Sequence, residues 1–541
     1  MSNRIVCIAL VVALPVLLIA ALWVALDTYS AKAQGQNAAQ QSLIIGTTED
    51  ITSLDPAEAY SFHDWEILYN VGSGLLTYVP GTTELAPGLA ITMPEVSPDG
   101  LVYTFTLRSG LQFPDGTAFY ADAVKWSIDR VIALRGDPSG LVTNFVSEVQ
   151  VVDSTTVRFV LNQPSALFPM LVATAPYYPV SPNCFPTYQF DPNSTCGGLG
   201  PYTIVTWTQG ISVELRANPG YYGPRPQTPS IIVRYFDSAS DMRQALEDGE
   251  IDVAWRTLTP ADYQELRANP NFNVVEGGGS HIRYLCFNTT TSPFDDARVR
   301  TALAAAVDRQ TIAHEVFSDT MSALYSMVPE GMWSHCDAFL DLYNQRNLGQ
   351  ARTLLRQAGY SETNKLVMDL WYPLEHYGPL EPDFAAALKA NIEETGMVSV
   401  TLRSVDWSTY LSNIGAGTMP VFLLGWWPDY LDPDNYTWPF VHSTSSGNFG
   451  IFYNNPEMDN LLEEGRATTP IQGAAREAIY VDIQELWAEE APTIPLLQGT
   501  LIAVTQDDVR DVIISPSGLL PYFTMGRYHK VYLPLVVRNY R

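Results

Sequence analysis

Three aspartates and an asparagine, Asp429, Asp432, Asp434 and Asn435, fall among six aromatic rings in the stretch Leu423–Phe440, LLGWWPDYLDPDNYTWPF. Carboxylates among indoles suit three chemistries. Two facing each other across a sugar would make a glycoside hydrolase. Alternating oxygens would make a calcium loop. A single buried carboxylate would clamp the cationic end of a ligand through a charge-assisted hydrogen bond. The calcium reading lacks the glycine bend and the following bidentate glutamate, and prolines stand in their place. The paired-carboxylate reading competes with turn chemistry, in which Pro433 fixes φ while Asp432, Asp434 and Asn435 cap their own backbone.

Other catalytic constellations are missing from the sequence. The seven histidines, at 63, 281, 314, 335, 376, 442 and 529, show no HExxH or paired spacing, and no CxxC occurs. Gly72-Ser73-Gly74 lacks the outer glycine spacing of a nucleophile elbow. Gly277-Gly278-Gly279-Ser280 leads into a strand-like run, whereas a phosphate cradle opens a helix.

The elements that must position these residues are legible in the periodicity. GLVYTFTLRSGLQF, TTVRFVL, PYTIVTW, ISVELRA and SIIVRYF alternate at period two between Gly and Pro, so the first half is strand-rich. AFYADAVKWSIDRVIAL reads as a helix ending near Gly136. From Leu366 the rhythm changes to strand, helix, strand, helix, strand: LVMDLWY, a helix over 382–394 with Phe384, Leu388 and Ile392 on one face, VSVTLRSV, TYLSNIGAG and VFLLGW. This grammar predicts an α/β fold with a parallel sheet. Ligands in such sheets sit beyond the carboxyl ends of the strands, and VFLLGW runs directly into WPDYLDPDNY.

A chain of 541 residues has room for two or three domains or one large two-lobed body. Its formal charge of −28, from 58 acidic and 30 basic side chains, excludes nucleic acid, whose phosphates need a basic surface. Residues 5–26 are uncharged and almost wholly apolar, enough for a bilayer span, and Ser30-Ala31-Lys32-Ala33 offers a cleavage pattern. Signal peptide and membrane anchor both fit, and either exports the rest. In that oxidising setting Cys184 and Cys196 are expected to close a small surface loop, whereas Cys286 is expected to remain a buried thiol.

Several phrases in this order resemble one family: GLVYTFTLRSGLQFPDGTAF with ADAVKWSIDR, the GLGPYTIVTW turn, ALEDGEIDVAW, and DDARVRTALAAAVDRQTI after YLCFNTT. They are similar to the large extracellular solute-binding proteins of ABC importers, solute-binding protein family 5, which includes dipeptide- and oligopeptide-binding proteins. The likeness runs from about Leu43 to Phe523. It implies a two-lobed periplasmic-binding-protein-like fold of type II, in the large class with an extra subdomain. Lobe I would span 42–284 with a subdomain at about 88–200, lobe II 285–497 and the return to lobe I 498–527. The leader (1–26), a linker (27–41) and a tail (528–541) flank them. Crossovers would lie near Tyr284 and Leu497.

The resemblance further implies a monomer that closes over a peptide and delivers it to a membrane permease outside the cytoplasm. It implies no catalysis, no cofactor and no metal. Gly425 to Asn435 matches the family pattern in which an aspartate pairs with the ligand's α-ammonium, which places that role on Asp429. Trp426, Trp427 and Trp407 would supply apolar walls, Tyr60 and Ser61 would face the ligand from lobe I, and the backbone around Ser280 would approach it at the crossover. One departure concerns the other end. Dipeptide binders carry an arginine shortly after Leu-Trp-x-Pro, but Leu370-Trp371-Tyr372-Pro373 is followed by Glu375 and His376. That favours longer peptides, or a non-peptide solute such as a sugar, a nickel chelate or another cation. Import and sensing are not separable at this level, and a secreted glycoside hydrolase is the remote alternative.

Overall fold

The computed structural model describes residues 42–374 and 376–528; the leader, the linker, Glu375 and residues 529–541 lie outside the described residues. Two large sheets carry the architecture. The first has seven strands in the order Phe272–Gly277, Leu501–Gln506, Val253–Trp255, Ser42–Thr47, Ser230–Tyr235, Ser212–Ala217, Tyr202–Thr208. The second has six: Met321–Ala323, Thr493–Gly499, Ile282–Phe287, Val421–Trp426, Leu366–Pro373, Val398–Val405. Two adjacent interior strands of the second sheet, IRYLCF and TIPLLQG, are buried at every position because helices cover both faces. Leu366–Pro373 runs parallel to both Val398–Val405 and Val421–Trp426, as the α/β rhythm predicts. Ile282–Phe287 and Thr493–Gly499 then add antiparallel pairings that make the sheet mixed. Helix Glu381–Glu393 buries Phe384, Leu388 and Ile392 against it.

A third, four-stranded sheet, Glu95–Val96, Val102–Thr106, Thr156–Leu161, Val146–Asp153, packs with helix Ala121–Leu134 around Phe105, Phe159 and Phe168. Tyr430, from the stretch that opens the sequence analysis, inserts into this core.

The chain passes between the two large sheets twice, through residues 278–281 and through Thr500. Tyr284 and Leu497 therefore already lie within the second sheet, and the crossings fall just outside them. The two crossings touch. A Cβ on Gly279 would overlap the Gly499 carbonyl, so only glycine fits. Gly499 N–H donates to His281 O at 2.8 Å and Gln498 Nε2 to Gly279 O at 2.8 Å.

Cys184 and Cys196 form a disulfide, with Cα atoms 6.2 Å apart, and Cys286 and Cys336 are free thiols. The disulfide loop is anchored to the turn Leu54-Asp55-Pro56. Asp191 N–H donates to Asp55 at 2.8 Å, and Leu54 N–H donates to Pro192 O at 2.9 Å. Buried Arg130 holds Asp55 through both guanidinium nitrogens at 2.7 and 2.5 Å and also donates to the Pro186 and Gln189 carbonyls. This well-satisfied pair fixes the turn that leads into Tyr60.

Candidate ligand-binding cleft

Strand Val421–Trp426 ends at the boundary between lobes and delivers Trp427 and Asp429 there. Asn435 sets the geometry. Its Oδ1 accepts from Asp429 N–H at 2.8 Å and from Trp426 Nε1 at 3.2 Å, and its Nδ2 donates to Asp429 Oδ2 at 3.2 Å. From the other lobe, the Tyr60 hydroxyl donates to Asp429 Oδ1 at 2.9 Å. The carboxylate is partly buried beside the exposed Tyr60, and desolvation pushes its pKa up to about 6, against the lowering effect of the Tyr60 and Asn435 hydrogen bonds. No cation among the described residues pairs with Asp429.

Asp432 and Asp434 have a different fate. Asp432 caps the short helix Pro433–Tyr436, accepting from Asp434 N–H at 2.9 Å, as the turn reading anticipates. It also meets Arg476 in two hydrogen bonds of 2.7 and 2.8 Å, with both side chains fully buried. Asp434 takes Arg466 at 2.8 Å through both oxygens and accepts from the Tyr430 hydroxyl at 2.7 Å. Neither carboxylate is open to a substrate, so the glycosidase geometry is absent. The sequence signal that would have found these pairs is basic residues on two helices of an acidic chain, Arg466 beside Gly465 and Arg476 one turn before Tyr480.

Aromatic rings continue from Trp427 into the second lobe. Trp427 stacks on His281 at 4.3 Å and leans on Phe62 at 4.9 Å. His281 neighbours Tyr377 at 6.1 Å, Tyr377 neighbours His376 at 4.5 Å, and His376 stacks on Trp407 at 3.6 Å. Sequence reasoning passed over the His281 and Tyr377 rings, because it weighed indoles above other rings, and it read Asn435 only as part of the turn. Trp426 packs instead against Phe440 and Phe449, at the edge of the second lobe's core.

The other expected residues are placed as follows. Ser61 caps helix Phe62–Val71, accepting from Asp64 N–H at 3.1 Å. Ser280 is buried at the crossover: its hydroxyl donates to Pro516 O, and its carbonyl accepts from the Tyr436 hydroxyl at 2.7 Å. Their side chains thus serve a cap and a lobe junction. His376 is exposed except where one ring face stacks on Trp407, and this partial desolvation, followed by the nearby Arg283 charge, lowers its pKa to about 4. Burial likewise holds His281 well below its ordinary value. Arg283 is buried and fully matched by Glu381, at 2.5 and 2.7 Å. Arg256, stacked over Phe62 at 3.9 Å, is paired with Glu49. At neutral pH the aromatic row therefore presents no unmatched positive charge.

The lobes stand closed. Leu431 N–H donates to the Tyr78 hydroxyl at 3.2 Å and Ala166 N–H to Arg466 O at 2.8 Å. The space left beside Asp429, between Trp65, Tyr69, Tyr78 and Tyr178, is about 30 Å³, room for about one or two waters. The grouping of metal-ligating side chains among the described residues is Glu330, His335 and Asp337, within 4.8 Å of one another. There His335 donates to Val328 O at 2.7 Å and faces Asp337 at 3.3 Å, which anchors the loop.

The sequence model of the bacterial extracellular solute-binding proteins, family 5 (middle region), matches residues 84–448. The chain belongs to this family. This solute-binding protein is 30% identical over 469 residues to di/tripeptide-binding protein 4 of Pseudomonas aeruginosa (strain UCBPP-PA14), covering 82% of this chain and 86% of the relative. It is 27% identical over 504 residues to the dipeptide-binding protein of Escherichia coli (strain K12), covering 87% and 89%. Among solved structures it superposes on the ABC transporter-associated periplasmic binding protein DppA from Helicobacter pylori, in complex with peptide STSA. The TM-score is 0.74 at 23% identity, covering 90% and 98% of the two chains. This last likeness supports the two-lobed fold. Among the described residues no helix is long and apolar enough to cross a membrane.

Proposed function

We propose that this protein binds peptides, oligopeptides above all, between its lobes and delivers them to an ABC permease, without catalysing a reaction. Asp429 takes the peptide's α-ammonium, Tyr60 and Asn435 hold that carboxylate, and the Trp427-to-Trp407 row flanks the chain of the ligand. The observation that carries this reading is a partly buried Asp429 carboxylate with two neutral hydrogen-bond donors and no cationic partner among the described residues. Such a group is costly alone and gains strongly from an ammonium. A ligand-bearing lobe arrangement requires opening about residues 278–281 and Thr500, which fits a division into lobes at 42–284 with 498–527, and 285–497. The apolar leader exports the body and, if retained, tethers it.

Calorimetric titration with di- to pentapeptides tests the proposal. Saturable binding is expected, tighter for tri- to pentapeptides than for dipeptides. No heat with any peptide, together with binding of a sugar or metal chelate, would sink it.

A further inference from the structure

Behind the tyrosines that border the Asp429 space lies a second and much larger cavity, wholly within the first lobe. Its volume is about 530 Å³, and Tyr69, Tyr78 and Tyr178 separate it from the first. That volume lies in the range of small-molecule sites. Its far wall is Tyr221, Tyr222 and Phe523, with Tyr221 and Tyr222 rings 4.8 Å apart. The wall is held in place. Tyr222 and Ser73 hydroxyls are hydrogen-bonded at 2.7 Å, and Tyr178 lies so close over Gly72 that a Cβ there would stand 2.7 Å from its ring.

One charged group lines it. The Arg108 guanidinium lies 4.7 Å over the Tyr222 ring and donates through Nε to Gly88 O at 2.7 Å. Among the described residues no carboxylate is paired with it. Its terminal nitrogens therefore keep the planar fork that matches a carboxylate. Ring walls favour a planar apolar body, and the fork favours an anionic end.

We propose that this cavity is a second small-molecule site, taking an aromatic carboxylate whose ring lies among Tyr69, Tyr178, Tyr221 and Phe523 and whose anion meets Arg108. The site uses none of the clamp residues Asp429, Tyr60 and Asn435, and it shares only the wall of Tyr69, Tyr78 and Tyr178 with the Asp429 space.

The test uses the full chain and 3-(4-hydroxyphenyl)propionate, with its amide as control, followed by calorimetry and saturation-transfer NMR. The acid is expected to bind saturably, the amide at least about tenfold more weakly. Arg108→Gln should weaken the acid by at least about tenfold while leaving peptide affinity unchanged. Val79→Trp, at an exposed lining position, should block the acid by filling the space and covers the case in which Arg108→Gln does not fold. Absence of saturable binding, equal binding of acid and amide, or full retention in Arg108→Gln and Val79→Trp would overturn the proposal. So would competition by peptide with loss in Asp429→Asn, which would place the acid in the cleft.

Discussion

The hydroxyl of Tyr60 donates to Asp429 Oδ1 at 2.9 Å across 369 residues of chain and across the boundary between the lobes. Asp429 thus sits at the point where the two halves meet, and the ligand it would hold is also what stands between them.

Replacing Asp429 with Asn keeps the shape and removes the charge. Truncating one member of a buried ammonium–carboxylate pair costs about 2–5 kcal/mol. We expect peptide affinity to fall at least about tenfold by calorimetry; unchanged affinity would remove Asp429 from the site.

The pH dependence has a definite sign. Burial raises the Asp429 pKa to about 6, above its unfolded value of about 3.9. The folded, ligand-free protein therefore prefers the protonated group. Stability from this group is present below pH ~4 and is lost as pH rises from ~4 to 6. Melting temperatures of Asp429→Asn and the parent should coincide near pH 4 and diverge in favour of the variant above pH 6. Peptide affinity should do the reverse, weakening as pH falls below 6, because a protonated carboxyl no longer attracts an ammonium.

On the proposed reading the aromatic row marks the opposite end of the cleft, and among the described residues it offers no free cation, since His376 is held neutral and Arg283 is matched by Glu381. Amidating the C-terminus of a tri- or tetrapeptide should change its affinity at neutral pH by less than about threefold. A large loss on amidation would reveal a carboxylate partner outside the residues assigned here.

Asn435→Ala leaves Asp429 N–H and Trp426 Nε1 without an acceptor. Unmatched buried donors cost about 1–3 kcal/mol each, so urea denaturation should show a loss of that order, and peptide affinity should drop with it.

The fully buried Asp432–Arg476 pair predicts asymmetric behaviour. Arg476→Met strands a buried carboxylate and should destabilise by about 3–5 kcal/mol, whereas Asp432→Leu with Arg476→Met should recover much of that loss. A double variant no better than the single would show that the pair also fixes the 433–436 turn.

Legibility in the sequence followed the range of the interactions. Local periodicity was enough for the helix carrying Phe384, Leu388 and Ile392, and for the strand VFLLGW that ends at the site. Pro433 and its flanking Asp and Asn announced their turn because turn chemistry is written within a few residues. Asn435's grip on Asp429 was hidden because Asn435 satisfies the same local pattern as a simple cap. Arg466 and Arg476 lie on later helices, so their targets emerge only once the helices pack against the turn. Ser61 and Ser280 show the converse. A serine beside a cleft is chemically plausible as a contact, yet both hydroxyls are committed to backbone.

The touching glycines at the crossings, Gly279 against Gly499, gather the two connections between the lobes into one narrow joint. If Asp429 holds the ligand as proposed, it would act as a check on empty cycles. Shutting without a guest strips water from a charge and gives it only neutral donors in return, whereas shutting on an amine supplies the counterion. A proton can do the same below pH ~6. Acid would then shut the cleft on nothing, as an impostor for cargo.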